Sequence, residues 1–253
     1  MGTLKGKRAL ITGGGQGLGF AIVEQLIAAG ADVAIHYHSS KTGAEELKMM
    51  ATRAGRRAEI FQADLTQENQ AAALVAGTAK FLGGLDILIN NAGDIIGRRR
   101  IEEVDGVFWE KVLNVNVTSM MWVTRAAVPE LIQAGQSSIV NLSSLAGRKG
   151  GHAGSLVYST AKGAVLTWTR ALANELGPKG IRVNAVAPGL ILGTRFHATH
   201  TTDESARKTI EGIPLGRAGS PADIARAVAF LASEYDGFIT GATLDINGGV
   251  YAA

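Results

Sequence analysis

Cysteine is absent from the 253-residue sequence, and proline is scarce, with 5 residues. A chain without cysteine forms neither disulfides nor thiolate metal sites, which fits a reducing compartment such as the cytoplasm. No apolar run is long enough to span a bilayer, and none follows basic residues in the pattern of a signal peptide. We therefore expect a cytoplasmic chain with no membrane partner.

Long stretches of one charge sign are also missing, and 25 basic against 22 acidic residues leave a net charge of +3. The densest basic run is Arg98-Arg99-Arg100. Short charge runs usually lie on solvated faces, so nucleic-acid binding is the weakest alternative, and no nucleic-acid partner is predicted. The triplet is interpreted as an exposed loop edge or as a contact for an anionic substrate group.

Glycine is plentiful by contrast, with 33 residues, and apolar residues make up 46% of the chain. Short β-branched runs alternate with longer stretches of helical periodicity. This alternation predicts an α/β fold, a single doubly wound parallel sheet of the Rossmann type with helices on both faces. The predicted strands are 9–12, 32–37, 58–63, 85–89, 138–142, 181–186 and 243–246; the predicted helices are 18–29, 42–53, 67–81, 107–131, 158–176 and one starting at Ser220.

No linker, repeat or change of composition divides the chain, so we predict a single domain over residues 1–253. The stretch from 189 to 219 has weak periodicity and mixes threonine, histidine and charged residues. A long segment after a strand end is commonly functional in such a fold. We predict a substrate lid at residues 189–219.

A glycine-rich turn follows the first predicted strand and opens the first predicted helix, with the sequence Thr-Gly-Gly-Gly-Gln-Gly-Leu-Gly over residues 12–19. Glycines let the backbone approach a pyrophosphate, and the helix N-terminus supplies N–H donors. The spacing is G-x-x-x-G-x-G, not G-x-G-x-x-G. The turn predicts a dinucleotide site, with a purely structural turn as the alternative.

The end of the second predicted strand carries no acid, since no Asp or Glu occurs between Val33 and Gly43. An acid there would bind the adenosine ribose 2′-hydroxyl and repel a 2′-phosphate. The hydroxyls and imidazoles present can instead meet a phosphate, so NADP(H) is favoured over NAD(H). The alternative is that His36 and His38 only share one strand face. No metal site is predicted, because these two histidines, like His197 and His200, lack a third ligand.

Tyr158 and Lys162 stand four residues apart at the start of a predicted helix and therefore lie on one helix face. A phenol normally loses its proton near pH 10. A neighbouring ammonium and the charge of an oxidised nicotinamide would lower that pKa, so Tyr158 could exchange a proton with a substrate oxygen. The pair alone is a common coincidence.

Polar clusters at or beside the predicted strand ends give the pair more weight: Asn90-Asn91-Ala92-Gly93, Asn114-Val115-Asn116-Val117, Asn141-Leu142-Ser143-Ser144 and Asn184-Ala185-Val186-Ala187-Pro188-Gly189. With these motifs the whole chain resembles the classical short-chain dehydrogenase/reductase family, in the family's order. The resemblance implies an NAD(P)(H)-dependent oxidoreductase that transfers a hydride between nicotinamide and a carbonyl or secondary alcohol.

The resemblance also implies residue roles. Tyr158 matches the general acid/base, and Lys162 the residue that lowers its pKa and binds the nicotinamide ribose. Ser144, with Ser143 as the alternative, matches the hydroxyl that orients the carbonyl. Asn116, with its neighbour Asn114 as the alternative, matches the holder of a relay water. The implied cofactor contacts are Gly13, Gln16, Gly17, Leu18, Gly19, Tyr37, His38, Ser39, Asp64 at the adenine, Leu65, Asn91, Ala92, Gly93, Tyr158, Lys162, Pro188, Gly189, and Ile191 and Thr194 at the nicotinamide amide.

Two positions depart from the family pattern. The family usually has Thr one step before Thr194, where this chain has Gly193, and the loop from 147 to 157 is slightly long. The first departure affects the backbone register beside the nicotinamide, and the second affects the placement of Ser144.

The substrate stays open. The ending from Thr240 to Gly249 resembles that of 3-oxoacyl-carrier-protein reductases, but sugar, polyol and steroid dehydrogenases share it. One rival interpretation is a non-catalytic dinucleotide-binding sensor, which the presence of Ser144, Tyr158, Lys162 and Asn116 disfavours. The other is an epimerase or dehydratase of the extended type, which the glycine spacing and the short C-terminus disfavour. The residues that could contact substrate or a carrier protein are Arg98 to Arg100, His152, Arg195, His197, His200 and Arg207.

The predicted helices 107–131 and 158–176 are apolar on more than one face, and a monomer would expose the second face to water. The resemblance implies that these helices pair across a two-fold axis and that chain ends, here 241–253, meet across another. We therefore predict a homotetramer, with a dimer as the alternative.

Overall fold

The computed structural model describes residues 4–194, 202–233 and 237–252. Its centre is one seven-stranded sheet in the order β3-β2-β1-β4-β5-β6-β7, and every neighbouring pair is parallel. The doubly wound α/β fold is thereby confirmed. The strands are β1 (Arg8–Ile11), β2 (Asp32–Tyr37), β3 (Ala58–Gln62), β4 (Ile87–Asn90), β5 (Ser137–Leu142), β6 (Ile181–Pro188) and β7 (Thr243–Ile246).

Helices connect the strands and cover both sheet faces. They are α1 (Gly17–Ala28), α2 (Lys41–Arg53), α3 (Glu68–Leu82), α4 (Gly106–Leu113), α5 (Ser119–Ala134), α6 (Leu145–Lys149), α7 (Leu156–Leu176), α8 (Asp203–Glu211) and α9 (Pro221–Ala232). A π-helical turn, Asn114–Thr118, joins α4 to α5. The predicted helix 107–131 thus corresponds to α4, the π turn and α5, which follow one another without a break. None of the described helices is both long and apolar enough to cross a membrane.

Two apolar cores lie on opposite faces of the sheet. Ile11 packs with α1, α2 and α9 on one face, whereas its neighbour Leu10 packs with α3, α5 and α7 on the other. Successive strand residues point to opposite faces, so β1 supplies both cores and is buried from Ala9 to Ile11. This packing fixes the carboxyl ends of the strands, where ligands bind in open α/β sheets.

Buried asparagines tie the strand ends to α7. The Asn90 amide donates to Asn141 Oδ1 at 2.9 Å and to Thr124 Oγ1 at 3.0 Å, and the Asn141 amide donates to Thr169 Oγ1 at 3.0 Å. The amide nitrogens of both asparagines are thus hydrogen-bonded inside the core, whereas Asn90 Oδ1 is buried without a hydrogen-bond partner among the described residues. Asn90 and Asn141, which the sequence placed in ligand-binding clusters, thus hold the framework on which the site is built.

Two helices were not predicted. α6 lies at the start of the slightly long loop, and α8 lies within the predicted lid. α8 begins with the N-cap Thr202 followed by Asp203 and Glu204, and it buries only Ala206, so it lacks an apolar period. By contrast, the capping box expected at Ser220 and Asp223 is present at the start of α9.

Candidate active site

A cavity of about 1140 Å³ opens at the carboxyl ends of the strands. Its volume exceeds the range typical of drug-sized pockets, so it has room for an extended ligand and a second small molecule. It is lined by nearly all the predicted site residues: Gly13, Gln16, Gly17, Leu18, Gly19, His38, Ser39, Asp64, Leu65, Asn91, Ala92, Gly93, Ser144, Tyr158, Lys162, Pro188, Gly189, Ile191 and Thr194. The two exceptions are Tyr37 and Asn116.

Side chains from two neighbouring strands hold the glycine-rich turn. The Asn91 amide donates to the carbonyls of Thr12 at 2.9 Å and Gly13 at 3.0 Å, and Thr12 Oγ1 accepts from the N–H groups of Asn91 and Ala92. Gly19 closes the turn without room for a side chain, since a Cβ there would lie 2.1 Å from the Gly13 carbonyl oxygen. The turn therefore needs its glycines for backbone contact, and α1 starts directly from it.

His36 braces the same turn from β2. Its Nδ1 accepts from the Gly13 N–H at 3.0 Å, and its Nε2 lies 3.1 Å from the Ala63 carbonyl oxygen. Burial lowers the pKa of His36 to about 4, so the ring stays neutral and carries its proton on Nε2, which donates to that carbonyl. His36 links the turn to the end of β3, where Asp64 follows.

The end of β2 presents His38, Ser39 and Ser40 to the cavity at the start of α2. Tyr37 lies between His36 and His38 in the chain, and strand alternation turns its ring the other way. The ring packs in the core that contains α1, α2 and α9, and Tyr37 is 6% exposed. The structure therefore does not bring Tyr37 into the cavity as predicted. Asp64 lies nearby, and hydrogen bonds from the Thr66 hydroxyl and N–H lower the pKa of its carboxyl.

Tyr158 and Lys162 lie on the first turns of α7, with Lys162 Nζ 5.7 Å from the Tyr158 ring centroid. The Lys162 ammonium donates to the Leu142 carbonyl oxygen at 2.9 Å. Ser144 caps α6 by accepting from the Ala146 N–H at 3.1 Å, and its hydroxyl is hydrogen-bonded to Tyr158. The hydroxyl of Ser143 instead donates to the Lys162 carbonyl oxygen at 2.7 Å. Ser144 is thus the serine that meets Tyr158.

Asn116 lies in the π turn and is buried beneath the cavity. Its amide donates to the carbonyls of Asp94 at 2.6 Å and Val112 at 2.9 Å, and its oxygen accepts from the Asp94 N–H at 3.2 Å. A Cβ on Gly93 would lie 2.7 Å from Asn116 Oδ1 and 3.0 Å from Lys162 Nζ. Gly93 therefore keeps open the space between Asn116 and Lys162. Asn114, the alternative, lines the cavity wall.

In the protein alone the pKa values of Tyr158 and Lys162 keep the phenol protonated at neutral pH. Burial raises the pKa of Tyr158 to about 12, with the Asp94 charge acting in the same direction and the Ser144 hydrogen bond against it. Burial also lowers the pKa of Lys162 to about 8. The sequence predicts a lowered phenol pKa with an oxidised nicotinamide present. In the protein alone the direction is opposite, because desolvation of the phenolate outweighs the other effects.

The segment after β6 forms part of the cavity wall. Ile191 and Thr194 are buried and line the cavity, and Thr194 lies against Gly17 of the turn. Gly193 adopts φ +80°, a left-handed conformation that glycine takes without strain, which brings the following Thr194 into the cavity. Residues 195–201 lie outside the described residues, and with them Arg195, His197 and His200. The lid stays a prediction.

The arginines of the triplet Arg98 to Arg100 have different surroundings. Arg98 lines the cavity, whereas Arg99 pairs with Asp105 at 2.8 Å and stacks on the Phe108 ring at 4.4 Å. Arg207 is an exposed residue of α8 that does not line the cavity. No group of three metal-ligating side chains occurs in the part of the chain that the structure describes.

Several cavity residues were missed by sequence reasoning: Asp94, Ile96, Lys149, Ser205, Thr209 and Val250. Asp94 directly follows the Asn90 to Gly93 motif at a strand end, a position that could have indicated it. Ile96 had no such signal. It adopts φ +64°, and the Gly97 N–H donates to the Ile95 carbonyl at 2.7 Å, which makes a strained γ-turn.

Known proteins match this chain over almost its whole length. A family model described as enoyl-(acyl carrier protein) reductase matches residues 13–251. The 3-oxoacyl-(acyl-carrier-protein) reductase FabG of Aquifex aeolicus is 37% identical over 98% of this chain and 98% of its own length. The chain therefore belongs to the short-chain dehydrogenase/reductase family and is an oxidoreductase.

Solved structures share the whole fold. A short-chain dehydrogenase from Burkholderia cenocepacia in complex with NADP superposes with a TM-score of 0.91 at 35% identity, covering 98% of this chain and 99% of that one. A 7α-hydroxysteroid dehydrogenase in complex with NADH and 7-oxo glycochenodeoxycholic acid has a TM-score of 0.93 at 32% identity, covering 98% and 95%. Similar proteins thus bind either dinucleotide.

Proposed function

We propose that this enzyme reduces a carbonyl compound and that Tyr158 donates the proton. The observation that carries the proposal is the Tyr158 phenol, hydrogen-bonded to Ser144 beside Lys162, in a cavity that also contains the glycine turn. The test is consumption of NADPH with a panel of ketones and 3-oxoacyl thioesters. A non-catalytic dinucleotide sensor would bind NADPH and leave it unchanged throughout the panel.

The residues present fit a nicotinamide dinucleotide. At Gly14, Gly15 and Gly19 of the turn a Cβ would lie within 2.8 Å of another atom, and the turn leads into α1, whose N-terminal N–H groups favour a pyrophosphate. Asp64 would contact the adenine, Asn91 to Gly93 the ribose beside it, and Ile191 and Thr194 the nicotinamide amide. When bound, the dinucleotide supplies the hydride.

Tyr158 has the protonation state that reduction requires. With its pKa raised to about 12, the phenol is protonated at neutral pH and can give its proton to a carbonyl oxygen. Ser144 orients that oxygen with its hydroxyl, and the Lys162 ammonium stabilises the phenolate left behind. Oxidation of an alcohol needs the phenolate first, so the protein's own groups favour reduction near neutral pH.

We expect carbonyl reduction to lose rate as pH rises through about 8, the lowered pKa of Lys162. Below that pH the ammonium is present and supports Tyr158, and above it the neutral amine does not. The measurement is kcat/KM against pH with a substrate that does not ionise, at constant ionic strength. A flat profile from roughly pH 6 to 10 would contradict the role given to the ammonium.

We propose that NADP(H) is preferred over NAD(H). His38, Ser39 and Ser40 line the cavity at the N-terminus of α2, where an anion is favoured, and none of the three is acidic.

NADPH should bind at least about tenfold more tightly than NADH, a difference in binding free energy of about 1.4 kcal/mol. His38→Asp should reverse the order by repelling the 2′-phosphate, whereas the uncharged control His38→Asn should not. Equal or tighter NADH binding by the wild type in fluorescence titrations would refute the preference.

The carbonyl substrate is proposed at the level of class. A 3-oxoacyl thioester on a carrier protein is one candidate, supported by the similar reductase of Aquifex aeolicus. A sugar, polyol or steroid ketone is the other, supported by the similar hydroxysteroid dehydrogenase. The measurement is kcat/KM for 3-oxoacyl thioesters and for sugar-type ketones, and the class with the higher value is the favoured substrate class.

We propose a homotetramer. Ile101, Val107 and Trp109 beside or on α4 and Leu156 at the start of α7 are exposed apolar side chains, and Phe238 is fully exposed near the chain end. Such surfaces are rarely left in water, and two two-fold axes would cover both regions. Light scattering coupled to size exclusion should give four times the 26.3 kDa chain mass. A stable monomer at micromolar concentration would refute this assembly.

A further inference from the structure

The cavity that holds Tyr158 adjoins a second hollow of about 680 Å³. Five residues line both spaces and form the boundary between them, here called the rim: Lys149, His152, Ser205, Thr209 and Val250. None of the five is acidic. Lys149, His152 and Ser205 carry N–H or O–H groups that can donate hydrogen bonds, whereas the Thr209 hydroxyl already donates to the Ser205 carbonyl oxygen at 2.8 Å. The rim therefore has the donors that an anion requires.

Lys149 is the cation of the rim. It ends α6, the short helix that Ser144 caps, so it lies close in the chain to the serine that meets Tyr158. Its neighbour Arg148 is already engaged, with two hydrogen bonds of 3.0 Å to the Asp245 carboxylate. Among the described residues, Lys149 has no carboxylate partner. Its ammonium is exposed and available to a ligand.

The acids of the two spaces do not neutralise the rim. Glu204 in the second hollow forms an ion pair with Lys208 at 2.8 Å, and Asp64 lies at the adenine end of the cavity. Asp94 acts electrostatically on Tyr158, so it lies at the reacting end. Glu110 lines the cavity from α4 beside Lys111, a residue of opposite charge. An anionic group on a substrate is therefore repelled from the Asp94 end and attracted to Lys149.

We propose that the substrate is a carbonyl compound with an anionic group, a carboxylate or a phosphate, which Lys149 binds at the rim. His152 and Ser205 donate hydrogen bonds to the same group. This assignment rests on the proposed function, because it takes the carbonyl carbon to lie at Tyr158. It makes Lys149 a specificity-determining residue that favours charged over neutral ketones.

The test compares oxo-acids of increasing length, for example 4-oxopentanoate and 6-oxoheptanoate, with their methyl esters and with ω-oxoalkyl phosphates. The acid or phosphate should have the higher kcat/KM at the length that reaches the rim. In Lys149→Gln the ratio of anion to ester should fall about three- to tenfold, mainly through KM, and in Lys149→Glu more than tenfold. The preferred anion distinguishes carboxylate from phosphate. Lys179→Gln, which alters an exposed lysine outside both spaces, should leave the ratio unchanged.

A binding measurement separates this inference from the proposed function. Calorimetry of the NADPH complex with pentanoate and with methyl pentanoate needs no turnover, and the acid should bind more tightly in the wild type but not in Lys149→Glu. If neutral ketones are reduced but the ratio and the binding difference do not depend on Lys149, the inference is wrong and the proposed function stands. If no carbonyl is reduced, the proposed function fails.

Discussion

Tyr158→Phe is expected to bind NADPH with unchanged affinity while turnover falls by a factor of ~10² or more, the scale of lost general acid catalysis. The substitution removes only the hydroxyl that is hydrogen-bonded to Ser144 and leaves the ring in its place on α7. The measurements are a fluorescence titration with NADPH and single-turnover reduction of a ketone.

Tyr251→Phe is the matched control, because it deletes the hydroxyl of a tyrosine whose ring packs on Arg148, outside the catalytic pair. Its turnover should match the wild type. Near wild-type turnover by Tyr158→Phe would remove Tyr158 from the mechanism.

Gly19→Ala is expected to weaken NADPH binding at least about 100-fold, about 2.7 kcal/mol. The new Cβ would lie 2.1 Å from the Gly13 carbonyl oxygen and 2.6 Å from the Asn91 amide nitrogen, so the turn must shift. A shifted turn loses the close backbone approach that a pyrophosphate needs. Titration with NADPH gives the dissociation constant, and circular dichroism reports whether the fold persists.

Gly177→Ala is the control for the added methyl group, since a Cβ there meets nothing within 4 Å. It should bind NADPH as the wild type does. If Gly19→Ala remains folded and binds NADPH equally well, the glycine turn does not hold the cofactor.

Most of the fold could be predicted because local pattern and tertiary structure agree. The β-branched runs in the sequence correspond to the parallel strands. The glycine turn, Asn91 and Ser144 follow the carboxyl ends of these strands and therefore line one cavity at that edge of the sheet. The helix boundaries at Gly30, Gly55 and Ser220 were readable from stop and capping signals.

The failures have physical causes. β2 is buried on both faces, so no polar alternation shows which residues face the cavity, and Tyr37, predicted as a cofactor contact, does not line it. α8 buries too little apolar surface to show a period. Ile96 is β-branched, so its residue type gives no signal of its left-handed backbone, and the raised pKa of Tyr158 depends on burial, which spacing along the chain does not report.

The central claim is that this chain transfers a hydride to a carbonyl carbon, and isotope transfer tests it most directly. The enzyme is supplied with NADPH that carries deuterium at both C4 positions of the nicotinamide, together with a ketone that the panel shows to be consumed. We predict an alcohol with one deuterium on the former carbonyl carbon, detected by mass spectrometry, and at most about one hundredth of that product from Tyr158→Phe within the same time. Oxidation of the dinucleotide without deuterium in the alcohol, or no alcohol from any carbonyl of the panel, would contradict the claim.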